Sequence, residues 1–150
     1  MKPELRVEDP QALMPKLLAL LEDTDAVPLV ISGSSMTPFL VHRRDTVYLS
    51  RVQRPLKRGD MILFRRDCGD YILHRILRAE NGRYILIGDA QNWVEPVRED
   101  QILALVTAVR RKEKLLKEGD FCWMFFEKIW LRMIHLRHPM MKLYTLAFRK

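Results

Sequence analysis

The hydrophobic pattern of the chain changes period twice, near residues 27 and 119. Before the first change, Asp9 and Pro10 form a helix start, because Asp is a favoured N-cap and Pro a favoured first helical residue. Apolar residues then recur on one helical face: Leu13, Leu17, Leu20 and Leu21. The pattern predicts an N-terminal helix within residues 1–26 that packs on the core and ends near residues 23–25.

Residues 27–112 have the pattern of short strands. Six runs rich in Val, Ile, Leu and Tyr follow one another, each bounded by turn residues: VPLVIS, DTVYLSRV, DMILFRR, YILHRILRA, RYILIGD and ILALVTAVRR. Asn81-Gly82 is a two-residue hairpin turn, and Cys68-Gly69-Asp70 marks a second hairpin. Because no helical pattern separates the runs, we expect a mainly β domain, a compact antiparallel sheet or partly open barrel.

Residues 113–150 return to a helical period and read as a basic amphipathic extension. On a regular helical wheel one wide face is apolar: Phe125, Phe126, Ile129, Trp130, Met133, Ile134 and Leu136. One interpretation is that this face packs on the β domain, which is the commoner fate of an amphipathic helix. The other is that residues 121–150 contact a membrane surface or a partner. We favour the second, because the aromatic side chains exceed what a small barrel needs to cover it.

Composition and charge narrow the class of protein. The 150 residues carry a net charge of +7, and residues 121–150 contribute six Lys or Arg against one acid, Glu127. This excess favours an anionic partner. Nucleic acid is not expected, because basic residues are not interleaved with exposed aromatics and no helix-turn-helix pattern is present. Cys68 and Cys122 alone form no disulfide framework. With no signal peptide and no long apolar run, we expect a cytoplasmic chain, peripheral to the membrane if the extension binds lipid.

The stretch ISGSSMTPFL, residues 31–40, holds the candidate nucleophiles, Ser34 and Ser35. A serine is a weak nucleophile until a base removes its proton, so a base must lie nearby in the fold. His74 is the best candidate, since strand alternation puts it between Ile72 and Ile76 on a buried face. A buried imidazole is costly unless it finds a hydrogen-bond partner. The alternative is a core-edge histidine bonded to a backbone carbonyl.

Two carboxylates follow in the turn IGDAQNWVEP. Asp89 or Glu95 could fix the tautomer of His74 and stabilise its imidazolium, as the acid of a Ser-His-acid triad does. The alternative assigns Asp89 to a local turn and Glu95 to a solvated surface.

In combination and order, these motifs resemble the signal peptidase I and LexA-like superfamily of serine endopeptidases, which includes self-cleaving repressor domains. SGSSMTPFL is similar to its nucleophile box, RRDTVYL to the next strand and LKRGDMILF to the strand after it. ILHRIL resembles its base-bearing strand and IGDAQNWVEPV its closing Gly-Asp box. The resemblance spans roughly residues 27–110, and it implies that superfamily's β fold.

Residue by residue, the resemblance implies that Ser35 is the nucleophile and that His74 is the general base of the histidine branch. The Ser35 backbone N–H would lie in the oxyanion hole. Gly33, Ser34, Met36 and Pro38 would shape the turn and the substrate groove. No metal or cofactor is implied.

The chain departs from the family pattern at three places. Glu95 occupies a position where the histidine branch usually has aspartate, so the third catalytic residue stays open between Glu95 and Asp89. Gly33 stands where some relatives place an oxyanion-hole serine. The sequence also predicts an amphipathic helix where the family has an N-terminal membrane anchor. The expected function is a serine endopeptidase that cleaves a protein or precursor peptide through an acyl-enzyme on Ser35. The alternative is a weak or inactive peptide-binding module that retains the fold.

Overall fold

The computed structural model describes residues 10–148. An N-terminal helix, α1, spans Pro10–Leu20 and buries Met14 against the main core. Asp9, the expected N-cap, lies outside the described residues. The regular helix ends at Leu20, and turns continue the chain to the first strand. The helix therefore ends somewhat earlier than the sequence predicts.

Eight strands follow in one antiparallel sheet. They are β1 (Val27–Val30), β2 (Thr46–Ser50), β3 (Met61–Arg65), β4 (Tyr71–Glu80), β5 (Arg83–Ile87), β6 (Glu95–Val97), β7 (Ile102–Arg111) and β8 (Lys114–Lys117). Their order is β1-β2-β7-β3-β4-β5-β6, and β8 pairs with β7 beside this path. The sheet is not closed, and β1 and β6 end the main path. The expected mainly β architecture with helices at both ends is confirmed.

The expected hairpin at Asn81-Gly82 is confirmed. Both residues have positive φ angles, 52° and 74°, as a two-residue hairpin turn requires. A similar turn at Lys112-Glu113, with φ angles of 49° and 68°, joins β7 to β8. The hydrophobic pattern of the sequence predicts neither β8 nor β6. The segment 113–150 thus begins with a strand of the sheet before it becomes helical.

Of three apolar clusters buried within residues 10–148, the two with the most residues lie on the two faces of the sheet. The larger cluster includes Phe39, Leu63 and Trp130, and the smaller includes Phe64 and Ile76. On β4, Leu73 packs with the larger cluster and Ile72 with the smaller, as strand alternation requires. The β4 strand therefore presents successive side chains to different cores.

The C-terminal helices cover the larger cluster. Helix α2 spans Phe121–Met124, a π-helical turn spans Phe125–Trp130, and α3 spans Arg137–Phe148. Trp123, Phe126 and Trp130 are buried in the cluster, while Ile129 and Leu136 are about half exposed. The expected apolar face is thus only partly correct, because a π-helical turn shifts the period away from that of a regular helix. Much of the aromatic surface packs on the sheet.

Within residues 10–148, no helix is both long and apolar enough to cross a bilayer.

Candidate active site

The turn after β1 carries the candidate nucleophile. Gly33 has a φ angle of 91°, a conformation that glycine adopts without strain. Its N–H donates to Nδ1 of His42 at 2.8 Å. Ser35 follows on the same turn and is half-buried. Neither its hydroxyl nor its backbone N–H makes a hydrogen bond to another described residue. The hydrogen-bonding capacity of both groups is therefore not used by the described fold.

The backbone of Ser35 is fixed against the turn that leaves β5. Its carbonyl accepts a hydrogen bond from the N–H of Ala90 at 2.9 Å. Gly88 passes so close that a Cβ at this position would lie 2.6 Å from the same carbonyl oxygen. A glycine at residue 88 is thus required by the approach of the two turns, which brings Ser35 to the end of β5.

A small pocket of about 80 Å³ lies beside Ser35. Its wall contains Ile31, Ser32, Gly33, Ser35 and Met36 from the serine turn and Tyr71, Ile72 and Leu73 from β4. The serine turn and the start of β4 therefore face each other. His74 is the next residue of β4 after this wall.

His74 is almost fully buried, with 2% of its surface exposed. It pairs with Ile62 of β3, and its ring meets the edge of the Phe64 ring at a centroid distance of 5.9 Å. No backbone carbonyl binds its buried Nδ1 atom, which has no hydrogen-bond partner among the described residues. The alternative, a core-edge histidine bonded to a backbone carbonyl, therefore finds no support at Nδ1.

The carboxylate of Glu95 is the group that faces this nitrogen. Its Oε1 lies 3.3 Å from Nδ1 of His74, without the alignment of a hydrogen bond. Arg66 holds both carboxylate oxygens, with donor distances of 3.1 and 2.7 Å. Arg66 and His74 thus share one acid, and the better hydrogen-bond geometry belongs to Arg66.

Burial sets the protonation of His74. The loss of solvent around the ring lowers its pKa to about 4. Glu95 opposes this shift and Arg66 adds to it. His74 is therefore neutral near pH 7, so one ring nitrogen can accept a proton.

Asp89, the other candidate acid, is occupied by Arg75. The guanidinium donates to both carboxylate oxygens at 2.9 Å, and both side chains are 1% exposed or less. Arg75 also donates to the Gly59 carbonyl and lies over the Phe39 ring at 5.5 Å. This geometry gives Asp89 a buried ion pair and leaves Glu95 as the carboxylate at Nδ1 of His74.

The residues expected to shape the substrate groove fall into two groups. Gly33 and Met36 line the pocket. Ser34 is exposed outside the pocket wall, and its carbonyl accepts a hydrogen bond from Thr37. Pro38 lies farther along the turn, where its carbonyl accepts a hydrogen bond from Arg111. Ser34 and Pro38 therefore act on the turn rather than on the pocket surface.

The C-terminal segment also supports the site, which the sequence analysis does not predict. Arg137 is buried and donates to the carbonyls of Gly88 and Gln91 at 2.9 and 2.8 Å. The indole N–H of Trp130 donates to the Asp89 carbonyl at 2.7 Å. A buried arginine in a basic helix is indistinguishable from a solvated one in sequence, so no local signal marks Arg137.

Among residues 10–148, no three His, Cys, Asp or Glu side chains cluster closely enough to hold a metal ion. Comparison with protein-family models and with curated proteins gives no match for this chain.

Proposed function

We propose that the protein is a serine endopeptidase of the signal peptidase I and LexA-like type, with Ser35 as nucleophile and His74 as general base. One observation carries the proposal. The three residues directly before His74 form one wall of the pocket beside Ser35. The buried Nδ1 atom of His74 faces the Glu95 carboxylate. The proposed nucleophile, base and acid therefore lie on neighbouring elements, although they are far apart in sequence.

The proposed reaction begins with neutral His74, the form that its lowered pKa favours. As the Ser35 oxygen attacks a peptide carbonyl, His74 accepts the hydroxyl proton, and Glu95 offsets the positive charge that develops on the ring. The free N–H of Ser35 is a donor for the carbonyl oxygen, which becomes negative. His74 then returns the proton to the leaving amine, and water hydrolyses the acyl-enzyme with His74 again as base.

The proposed substrate is a protein or precursor peptide in extended form. The β1 strand forms one end of the main sheet path and leads directly into the serine turn. An extended peptide that adds to this edge gains backbone hydrogen bonds and passes beside the pocket.

A fluorophosphonate probe followed by intact-mass measurement tests this proposal. We expect one adduct on Ser35 in the natural chain and in the matched control Ser34→Ala. The Ser35→Ala variant should form none. A folded natural chain that forms no adduct at Ser35 would contradict the peptidase assignment.

A second candidate function, a peptide-binding module without turnover, is favoured by a different observation. Glu95 is bound mainly by Arg66, and the nearly inaccessible His74 has a pKa of about 4, which makes it a weak base. Peptide binding without an adduct at Ser35 would support this module.

A further inference from the structure

Helix α3 exposes leucines on the side that does not face the protein. Met140 and Met141 pack against the larger core cluster, and Arg137 is buried beneath the helix. Leu143 and Leu146 are instead 67% and 73% exposed. Because they are three residues apart in one helix, they lie on neighbouring positions of its outer face. Each leucine keeps most of its apolar surface in water.

The apolar surface extends beyond these two leucines. Leu136, which lies one residue before α3, is 53% exposed, and Pro139 is also exposed. Leu136 and Leu143 are seven residues apart, a spacing that keeps side chains near one side of a helix. The exposed residues therefore form an apolar stripe, Leu136, Pro139, Leu143 and Leu146, along the outer side of α3.

The charges around this stripe have one sign. Lys142, which directly precedes Leu143, is exposed, and residues 128–148 contain no Asp or Glu. The loop that contains Arg43 and Arg44 lies near α3, because Tyr144 of α3 interacts with Arg44. Arg43 is exposed in this loop and adds a positive charge. Asp45 in that loop is buried and pairs with Arg44, so it offers no exposed carboxylate. A partner at this surface meets leucines and cations.

We propose that α3 docks on the surface of a membrane that contains anionic lipid, with Leu143 and Leu146 entering the interface. An interfacial helix needs an apolar side that enters the acyl boundary and cations that meet the headgroups. The stripe supplies the apolar side, and Lys142 and the Arg43 loop supply the cations. Anionic headgroups match the sign of the exposed charges that α3 and the Arg43 loop present, which another copy of this basic surface would not. This inference does not depend on the chemistry of Ser35.

Vesicle flotation with the full chain tests the proposal. The two vesicle preparations are phosphatidylcholine alone and phosphatidylcholine mixed with phosphatidylserine. We expect binding to the mixed vesicles at low salt, weaker binding at high salt, and little binding to phosphatidylcholine alone. The double variant Leu143→Ser/Leu146→Ser should bind the mixed vesicles about tenfold more weakly, because two exposed leucines no longer enter the interface.

Leu20→Ser is the matched control, since Leu20 is similarly exposed, at 52%, on α1. It should bind like the natural chain. The proposal is overturned if no binding to mixed vesicles occurs at low salt, or if the double variant binds as well as the control. It is also overturned if the natural chain does not float with vesicles and gel filtration shows that it dimerises through these leucines.

Discussion

Nδ1 of His74 lies 3.3 Å from Oε1 of Glu95, and no closer acceptor satisfies this buried nitrogen. The carboxylate is therefore placed to stabilise a positive charge on the ring. Glu95→Gln removes the charge and keeps nearly the same shape, so the rate of Ser35 labelling should fall at least about tenfold. Labelling rates by intact mass measure this, with the exposed Glu99→Gln as control. An unchanged rate in Glu95→Gln would exclude an electrostatic role for Glu95.

Burial is the main reason that the pKa of His74 is low, and Arg66 should add to it, because it binds Glu95 and places a positive charge near the ring. In Arg66→Gln we expect the pKa to rise from about 4 toward the usual value of 6.5. NMR titration of the His74 ring protons measures the shift. Arg65→Gln is the control, since Arg65 lies over the Tyr71 ring instead. A pKa that stays near 4 in Arg66→Gln would show that burial alone sets it.

The free energy of unfolding should decrease as the pH is lowered from 7, because of His74. Its folded pKa, about 4, is below the ordinary 6.5, so between these values the unfolded chain binds a proton that the folded chain does not. The contribution to stability is complete above about pH 6.5 and decreases as the pH falls toward 4. Between pH 7 and pH 5 the loss should be about 2 kcal/mol.

Urea unfolding at these two pH values measures the loss. His74→Phe should show a correspondingly weaker pH dependence, and the exposed His135→Gln should behave like the natural chain. Equal pH dependence in His74→Phe and the natural chain would contradict a depressed pKa at His74.

Asp89 should matter to folding whether or not the chain is an enzyme. Asp89→Asn leaves the buried Arg75 charge without its partner, and we expect a loss of about 3–5 kcal/mol in the free energy of unfolding. Asp67→Asn breaks an exposed two-point pair with Arg98 and should change stability little. Urea unfolding compares the two variants. A loss for Asp89→Asn no larger than that for Asp67→Asn would contradict the buried-pair assignment.

Local signals in the sequence predict much of the sheet. Asn81-Gly82 is predicted as a turn because Asn and Gly tolerate positive φ angles. Lys112-Glu113 adopts similar angles, but Lys and Glu are not turn residues. The sequence therefore gives no sign of the hairpin that leads into β8. The helical wheel of the C-terminal segment assumes regular α-helical geometry. It therefore leaves Leu131 off the apolar face, although this residue is fully buried in the structure.

In the candidate site, too, local signals predict some features, whereas others depend on tertiary contacts. Strand alternation correctly puts His74 on a buried face. The choice between Asp89 and Glu95 depends on which carboxylate Arg75 binds. Arg75 and Asp89 are 14 residues apart, and no local signal marks that pair. The support that Arg137 gives the Gly88 turn likewise depends on tertiary packing.

The dependence of Ser35 labelling on His74 shows whether the two residues act together as nucleophile and general base. The measurement is the rate of fluorophosphonate adduct formation at pH 7 for the natural chain and for His74→Gln, each below its own unfolding temperature. We expect an adduct on Ser35 of the natural chain and a rate at least about a hundredfold lower in His74→Gln. Equal rates in the two proteins, or no adduct on Ser35 of the folded natural chain, would contradict this expectation.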